Sequence, residues 1–122
     1  MRLVHVVVGY AIVGGFGLLW LWGMATWVFR RGPGQPFWWL LGFLQATLLV
    51  QGVVGVVLVA TGLRASALHY VYGVIFPILV LVVAHVFARE AFAHRPWLPF
   101  ALASFFVFGL TLRALMTGLG YP

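Results

Sequence analysis

The sequence predicts an all-α integral membrane protein, an up-and-down bundle of four transmembrane helices. Its composition, four long apolar runs and the turn residues between them support this prediction. Of the 122 residues, 65% are hydrophobic and 7% are charged, whereas a soluble domain is about 25% charged. The chain has too few polar side chains to form the surface of a folded domain in water. We therefore expect the protein to be embedded in a lipid bilayer.

Four runs each supply the roughly 20 apolar residues that a helix needs to cross a bilayer. The first run is longer than the roughly 7–15 apolar residues of a secretory signal, so we expect it to be a retained helix. We expect residues 1–122 to form a single domain. The predicted helices span residues 3–29, 37–62, 67–88 and 97–119.

The breaks between these runs carry residues typical of helix ends. The first break reads RRGPGQP, and its prolines and glycines cannot continue a helix. Gly62 is a typical residue just after a helix, and Pro96 is typical of a first turn. Because the connections are short, neighbouring helices must be antiparallel, and the first and third helices then lie diagonally across the bundle.

The charges favour contact with lipid headgroups. The formal net charge is +6, from seven arginines and the single acid Glu90. The arginines lie near the ends of the apolar runs, where they bind headgroups, so we do not expect a nucleic acid partner. Side A, where the first and third helices begin, holds both ends of this chain and carries three arginines; side B carries four. The positive-inside rule then places the chain ends on the non-cytoplasmic side of, we expect, a prokaryotic cell membrane.

Two short segments carry the residues with the clearest chemical potential. Residues 4–9 read VHVVVG and residues 68–73 read LHYVYG. His5 and His69 therefore lie in the first turns of the first and third helices, at similar depth. On diagonal helices their side chains can meet at the centre, where two imidazoles suit the axial positions of a haem iron. We therefore predict His5 and His69 as ligands of one haem b.

Glycines and arginines near the histidines extend this predicted site. Gly9 and Gly73 lie one turn beyond each histidine and would leave room for the edge of the macrocycle. Arg113 lies at similar depth in the fourth helix, where an arginine needs a partner or water. The haem propionates would supply that partner, with Arg2 and Arg64 close by. The alternative is that Arg113 reaches the interface through its own flexible stem.

Other features extend or limit this prediction. The histidine segments match at an offset of 64 and the two TGL segments at 56, which fits a tandem repeat of helical hairpins. His85 lies 16 residues beyond His69, about 24 Å along a helix. We therefore expect His85 to lie with His94 in a polar cluster on side B and not at a second haem.

Pro77 removes a backbone hydrogen bond to the carbonyl of Gly73, so we expect a kink in the third helix at this point. Cysteine is absent, which excludes thiolate metal sites and c-type haem attachment.

The run LLVQGVVGVVLVATG at residues 48–62, followed by LHYVYG, resembles one four-helix half of a haem A synthase. It is also similar to small membrane b-type cytochromes. This resemblance covers the second and third helices and implies haem binding at His5 and His69. The chain is one bundle long and lacks the acidic residue that haem A synthases carry near a haem ligand, so synthase activity is not implied.

The leading prediction is a small membrane b-type cytochrome that transfers single electrons, with quinone or within a larger respiratory complex. Two axial nitrogens leave no open iron position, so we expect an electron-transfer or accessory protein in preference to a stand-alone enzyme. Two alternatives remain open at this stage. One is a cofactor-free structural subunit of a larger membrane complex, and the other is a pigment- or lipid-binding protein. A homo-oligomer fits each of them.

Overall fold

The computed structural model describes residues 2–29, 31–62 and 67–120. Each of its four long helices is long and apolar enough to cross a membrane, and no strand occurs in these ranges. This confirms the predicted all-α four-helix fold, with helix ends within two residues of the expected positions. The helices are α1 (Arg2–Val28), α2 (Gln35–Ala60), α3 (Ala67–Arg89) and α4 (Trp97–Gly118).

Helix α4 is the central helix of the bundle. Half of its most apolar stretch is buried inside the protein, compared with 17% for α2. It packs against α1 and against α3, while α2 packs against α1. Helices α1 and α3 therefore lie on different sides of α4, in the diagonal arrangement expected from the short connections. Helix α2 makes its extensive backbone contacts with α1 alone among the described elements, which leaves α2 and α3 apart.

Small residues bring α1 and α4 into close contact. A Cβ built on Gly23 would overlap the Cβ of Ala101 on α4, and one built on Gly15 would lie 2.5 Å from the side chain of Leu44 on α2. Transmembrane helices gain van der Waals contact when such residues let their backbones approach. The two glycines therefore fix the spacing between α1 and its neighbours.

Aromatic side chains fill the side B half of the bundle. Trp22 on α1 contacts Phe37 on α2 with ring centres 6.0 Å apart, and Phe37 lies 5.7 Å from Trp38. Trp38 then contacts Phe100 on α4 at 5.7 Å, and Phe100 contacts His85 on α3 at 4.7 Å. These edge-on contacts link all four helices and close this end of the bundle.

Helix α3 is not regular throughout. It is α-helical at Ala67–Tyr70, π-helical at Val71–Ile75 and α-helical again at Phe76–Arg89. The sequence predicts an interruption at Pro77, and the irregular turn lies directly before it. In a regular α-helix the proline ring would clash with the carbonyl four residues earlier, and the wider π turn relieves this conflict.

We predict that Gly23→Ala lowers the stability of the bundle, whereas Gly14→Ala does not. The new methyl at residue 23 meets the Cβ of Ala101, and overpacking of this kind costs about 1–3 kcal/mol. Gly14 has nothing within 4 Å of its would-be Cβ, so alanine there should gain up to about 1 kcal/mol of helix propensity. Unfolding titrations with a denaturing detergent in mixed micelles measure both. Equal stability of the two variants would contradict the close packing of α1 on α4.

Candidate functional site

The structure brings His5 and His69 together at the side A end of the bundle. His5 lies one turn into α1, and His69 is the third residue of α3. Their ring centres are 6.2 Å apart with 63° between the ring planes, and both side chains are partly buried. The two imidazole rings that depth and helix order predict to be close are therefore in direct contact.

A cavity of about 860 Å³ surrounds the two histidines, within the range of about 300–1,000 Å³ that is typical of ligand sites. All four helices contribute to its wall, which is mostly apolar. Gly9 and Gly73 line it, as the sequence predicts, and Gln51 and Thr111 add polar groups. Three further glycines, at residues 52, 55 and 118, also line the cavity.

The His69 ring is fixed by α4. Its Nδ1 lies 2.7 Å from the backbone carbonyl of Ala114, and because a carbonyl can only accept, Nδ1 must carry the hydrogen. The neutral ring then keeps its lone pair on Nε2. A Cβ built on Gly118 would lie 2.8 Å from the ring, so glycine at this position makes room for the imidazole.

His5 is held through its backbone instead. The side-chain amide of Gln51 on α2 donates a hydrogen bond to the carbonyl of His5. Gly9 lies beside this bond, since a Cβ there would be in ordinary van der Waals contact with the Gln51 amide nitrogen at 3.6 Å. The imidazole Nδ1 of His5 is buried and has no hydrogen-bond partner. Leaving a buried polar atom unsatisfied costs about 1–3 kcal/mol, so a bound group that bonds His5 would be stabilised here.

The structure does not bring Arg113 to the cavity. It is absent from the cavity wall, which α4 forms with Thr111, Ala114, Leu115 and Gly118. At 100° per residue, Arg113 lies about 150° around α4 from the centre of that face. Arg113 lies on the same face of α4 as the exposed Leu102 and Phe106. This favours a position at the membrane–water interface over a contact with a cofactor. Arg64 and the side chain of Arg2 lie outside the described parts of the chain, so their assignment to propionates stays a prediction.

Among the described residues near side B, the polar side chains form no second metal-binding cluster. His85 is exposed, and its Nδ1 bonds the carbonyl of Leu81 in its own helix at 2.7 Å. His94 stacks on Phe92 with ring centres 6.5 Å apart. Within residues 2–29, 31–62 and 67–120, no group of three or more His, Cys, Asp or Glu side chains lies close enough together to hold a metal ion.

Three contributions to the site escape sequence reasoning. The Ala114 carbonyl carries no side-chain signal, and its role depends on the height at which α3 meets α4. In the sequence, Gly118 belongs to one of the two matching TGL segments, and these indicate helix ends and not a binding site. Gln51 is noticeable as one of two amides in the second apolar run, but its contact with the His5 carbonyl requires the three-dimensional packing.

Comparison with known proteins gives no relative for this site. No family model, curated protein or solved structure matches the chain. The resemblance to one half of a haem A synthase stays a prediction. The chemistry of the site therefore has to be inferred from its own geometry.

We predict that Gly118→Ala displaces the His69 ring, because its new methyl would lie 2.8 Å from ring atoms. The imidazole then loses its hydrogen bond to Ala114, which is worth about 0.5–1.5 kcal/mol. Gly109→Ala on the same helix is the matched control, since nothing lies within 4 Å of its would-be Cβ. Unfolding in mixed micelles should show Gly118→Ala as the less stable variant. The reverse order would contradict the placement of His69 against α4.

Proposed function

We propose that the protein is a small membrane b-type cytochrome in which His5 and His69 are the axial ligands of one haem. The observation that carries the proposal is the 6.2 Å separation of the two imidazole ring centres inside a glycine-lined cavity. Three properties of the site support a haem: the separation of the imidazole rings, their hydrogen bonding and the number of protein ligands that are available.

The separation fits a single metal ion held between the rings. Histidine nitrogen to metal bonds measure about 2.0–2.1 Å for zinc, and with about 1 Å from each nitrogen to its ring centre the two rings would lie about 6 Å apart. The 63° between the planes is compatible with axial ligation, because each ring can rotate about its bond to the metal.

The hydrogen bonding of the two rings also favours ligation. Metal-bound histidines commonly donate their other ring hydrogen to a backbone carbonyl, which fixes tautomer and orientation. His69 does this through Nδ1 to Ala114, and its Nε2 keeps a lone pair for a metal. His5 has a buried nitrogen without a partner, and no described polar group satisfies it.

The number of protein ligands favours a haem over a bare metal ion. Structural zinc sites take four protein ligands and catalytic ones take three, and the described residues offer no such cluster. A porphyrin supplies four nitrogens of its own, so two histidines complete its iron. Gly52 on α2 lines the cavity and has nothing within 4 Å of its would-be Cβ, so it leaves space that a flat ring would need.

When bound, such a haem supplies a one-electron iron couple. His5 and His69 would occupy both axial positions and so exclude substrates from the metal. The cavity reaches the helix ends on side A, whereas the aromatic contacts close the side B half, so electrons would exchange with a partner on side A. Quinone or a respiratory complex is the class of partner that we propose. We propose that side A is the non-cytoplasmic side, because side B carries four arginines and side A carries three. The membrane in this proposal is that of a prokaryotic cell.

We predict that the purified protein, expressed with an adequate haem supply, shows a reduced-minus-oxidised spectrum typical of a b-type cytochrome. His5→Ala and His69→Ala should each abolish the low-spin spectrum, because each removes one axial nitrogen. His85→Ala is the matched control and should keep the full spectrum, since its ring lies against Phe100 in the other half of the bundle.

A colourless wild-type protein, before and after incubation with haemin in micelles, would rule out the proposal. If His85→Ala loses haem while His5→Ala and His69→Ala keep it, haem binds in the side B half of the bundle, and the proposed ligands are wrong. Pyridine haemochrome analysis gives the stoichiometry, which we expect to be one haem for each chain.

A further inference from the structure

The π turn in α3 lies between His69 and the regular α-helical segment Phe76–Arg89. The backbone N–H of Phe76 bonds the carbonyl of Val71, five residues earlier, in place of the α-helical carbonyl four residues earlier. Pro77, which is buried, follows directly. A π turn of this kind accommodates one extra residue within an otherwise α-helical segment.

This extra residue decides which way His69 faces. The packed face of α3 beyond the turn carries the buried side chains of Pro77, Leu81, Ala84 and Ala88. In an uninterrupted α-helix, a residue eight positions before Pro77 would lie about 90° from the centre of this face. With one residue absorbed by the π turn, His69 behaves as if it were seven positions before Pro77, and lies about 10° from the centre.

The contacts of His69 agree with the second register. Its ring bonds Ala114, lies against Gly118 and faces His5, all of them on the inner side of α3. Without the π turn, Tyr70 would take the position seven residues before Pro77 and would face inward in its place.

We propose that Pro77 is a positioning residue, which maintains the π turn and thereby aims His69 at His5. A regular α-helix would bring the proline ring against the carbonyl of Gly73, so proline at this position disfavours the register in which His69 points away. The relevance to haem rests on the proposed function above, but the register itself does not require a cofactor.

Cysteine cross-linking tests the register in the full chain, because the natural sequence contains no cysteine. The pair His69→Cys with Gly118→Cys should form a disulfide under mild oxidation, since residue 118 lies directly against the position of the His69 side chain. Adding Pro77→Ala should abolish this cross-link and should create one for the pair Tyr70→Cys with Gly118→Cys. Mass spectrometry of the oxidised protein in micelles measures both.

A compensating deletion provides the rescue. Removing Val74, which is exposed, together with Pro77→Ala leaves a regular helix in which residue 69 is again seven positions from residue 77. This variant should recover the cross-link between positions 69 and 118. Pro99→Ala is the matched control, because Pro99 lies in the first turn of α4, where no helical hydrogen bond is lost, and it should leave the pattern unchanged.

The same backbones with His69 intact provide the second readout. Pro77→Ala should lose the b-type spectrum, and Pro77→Ala with Val74 deleted should regain it. If Pro77→Ala keeps the cross-link between positions 69 and 118, the positioning role of Pro77 is wrong. If the cross-links shift as expected while the wild type binds no haem, the register stands and the proposed function fails.

Discussion

The absence of water in a bilayer core is the constraint on which the other features of this molecule depend. Within lipid, a polar group must find its partner inside the protein. The buried hydroxyls of Ser104, Thr111 and Thr117 each bond a carbonyl of their own helix. The longer side chains of Gln51 and His69 instead reach a carbonyl on another helix. The buried Nδ1 of His5 stands out against this pattern, which is why the cavity beside it is the candidate site.

The two halves of the bundle solve the packing problem in opposite ways. On side B, rings from all four helices contact one another edge to edge and fill the interior. On side A, glycines from all four helices line the wall, and the interior stays open. A Cβ added at residue 9, 55, 73 or 118 would meet a neighbouring side chain within 4 Å, whereas one added at Gly52 would meet nothing. Four of the wall glycines therefore allow close packing around the histidines, and Gly52 borders open space.

The four helices could be predicted from sequence because their signals are local. Twenty apolar residues, a proline-rich break and a short connection fix the number of helices and their antiparallel order. The meeting of His5 and His69 follows from the same information, because both histidines lie near helix starts on diagonal helices. Depth along a helix is therefore a quantity that sequence position gives directly.

Azimuth around a helix is less accessible, and this explains what the sequence did not reveal. The sequence predicts the depth of Arg113, which directly precedes the Ala114 that bonds His69, but the direction of its side chain depends on which face of α4 packs against α1 and α3. In apolar helices that face is poorly marked, because lipid-facing and buried residues are equally hydrophobic. The Ala114 carbonyl and Gly118 escaped prediction for the same reason.

The π turn also limits how far the sequence repeat extends. The VHVVVG and LHYVYG segments share His, Val and Gly at three of six positions. Yet α1 is α-helical from Arg2 to Val28, while α3 contains five π-helical residues. Gly9 admits the Gln51 amide, whereas Gly73 lies against Ala114. The two histidines therefore reach the same cavity by different means: His5 from a regular helix, and His69 from one whose register is shifted by one residue. The match between the two segments therefore ends at the backbone that follows each histidine, because only α3 has to accommodate a proline in its next turn.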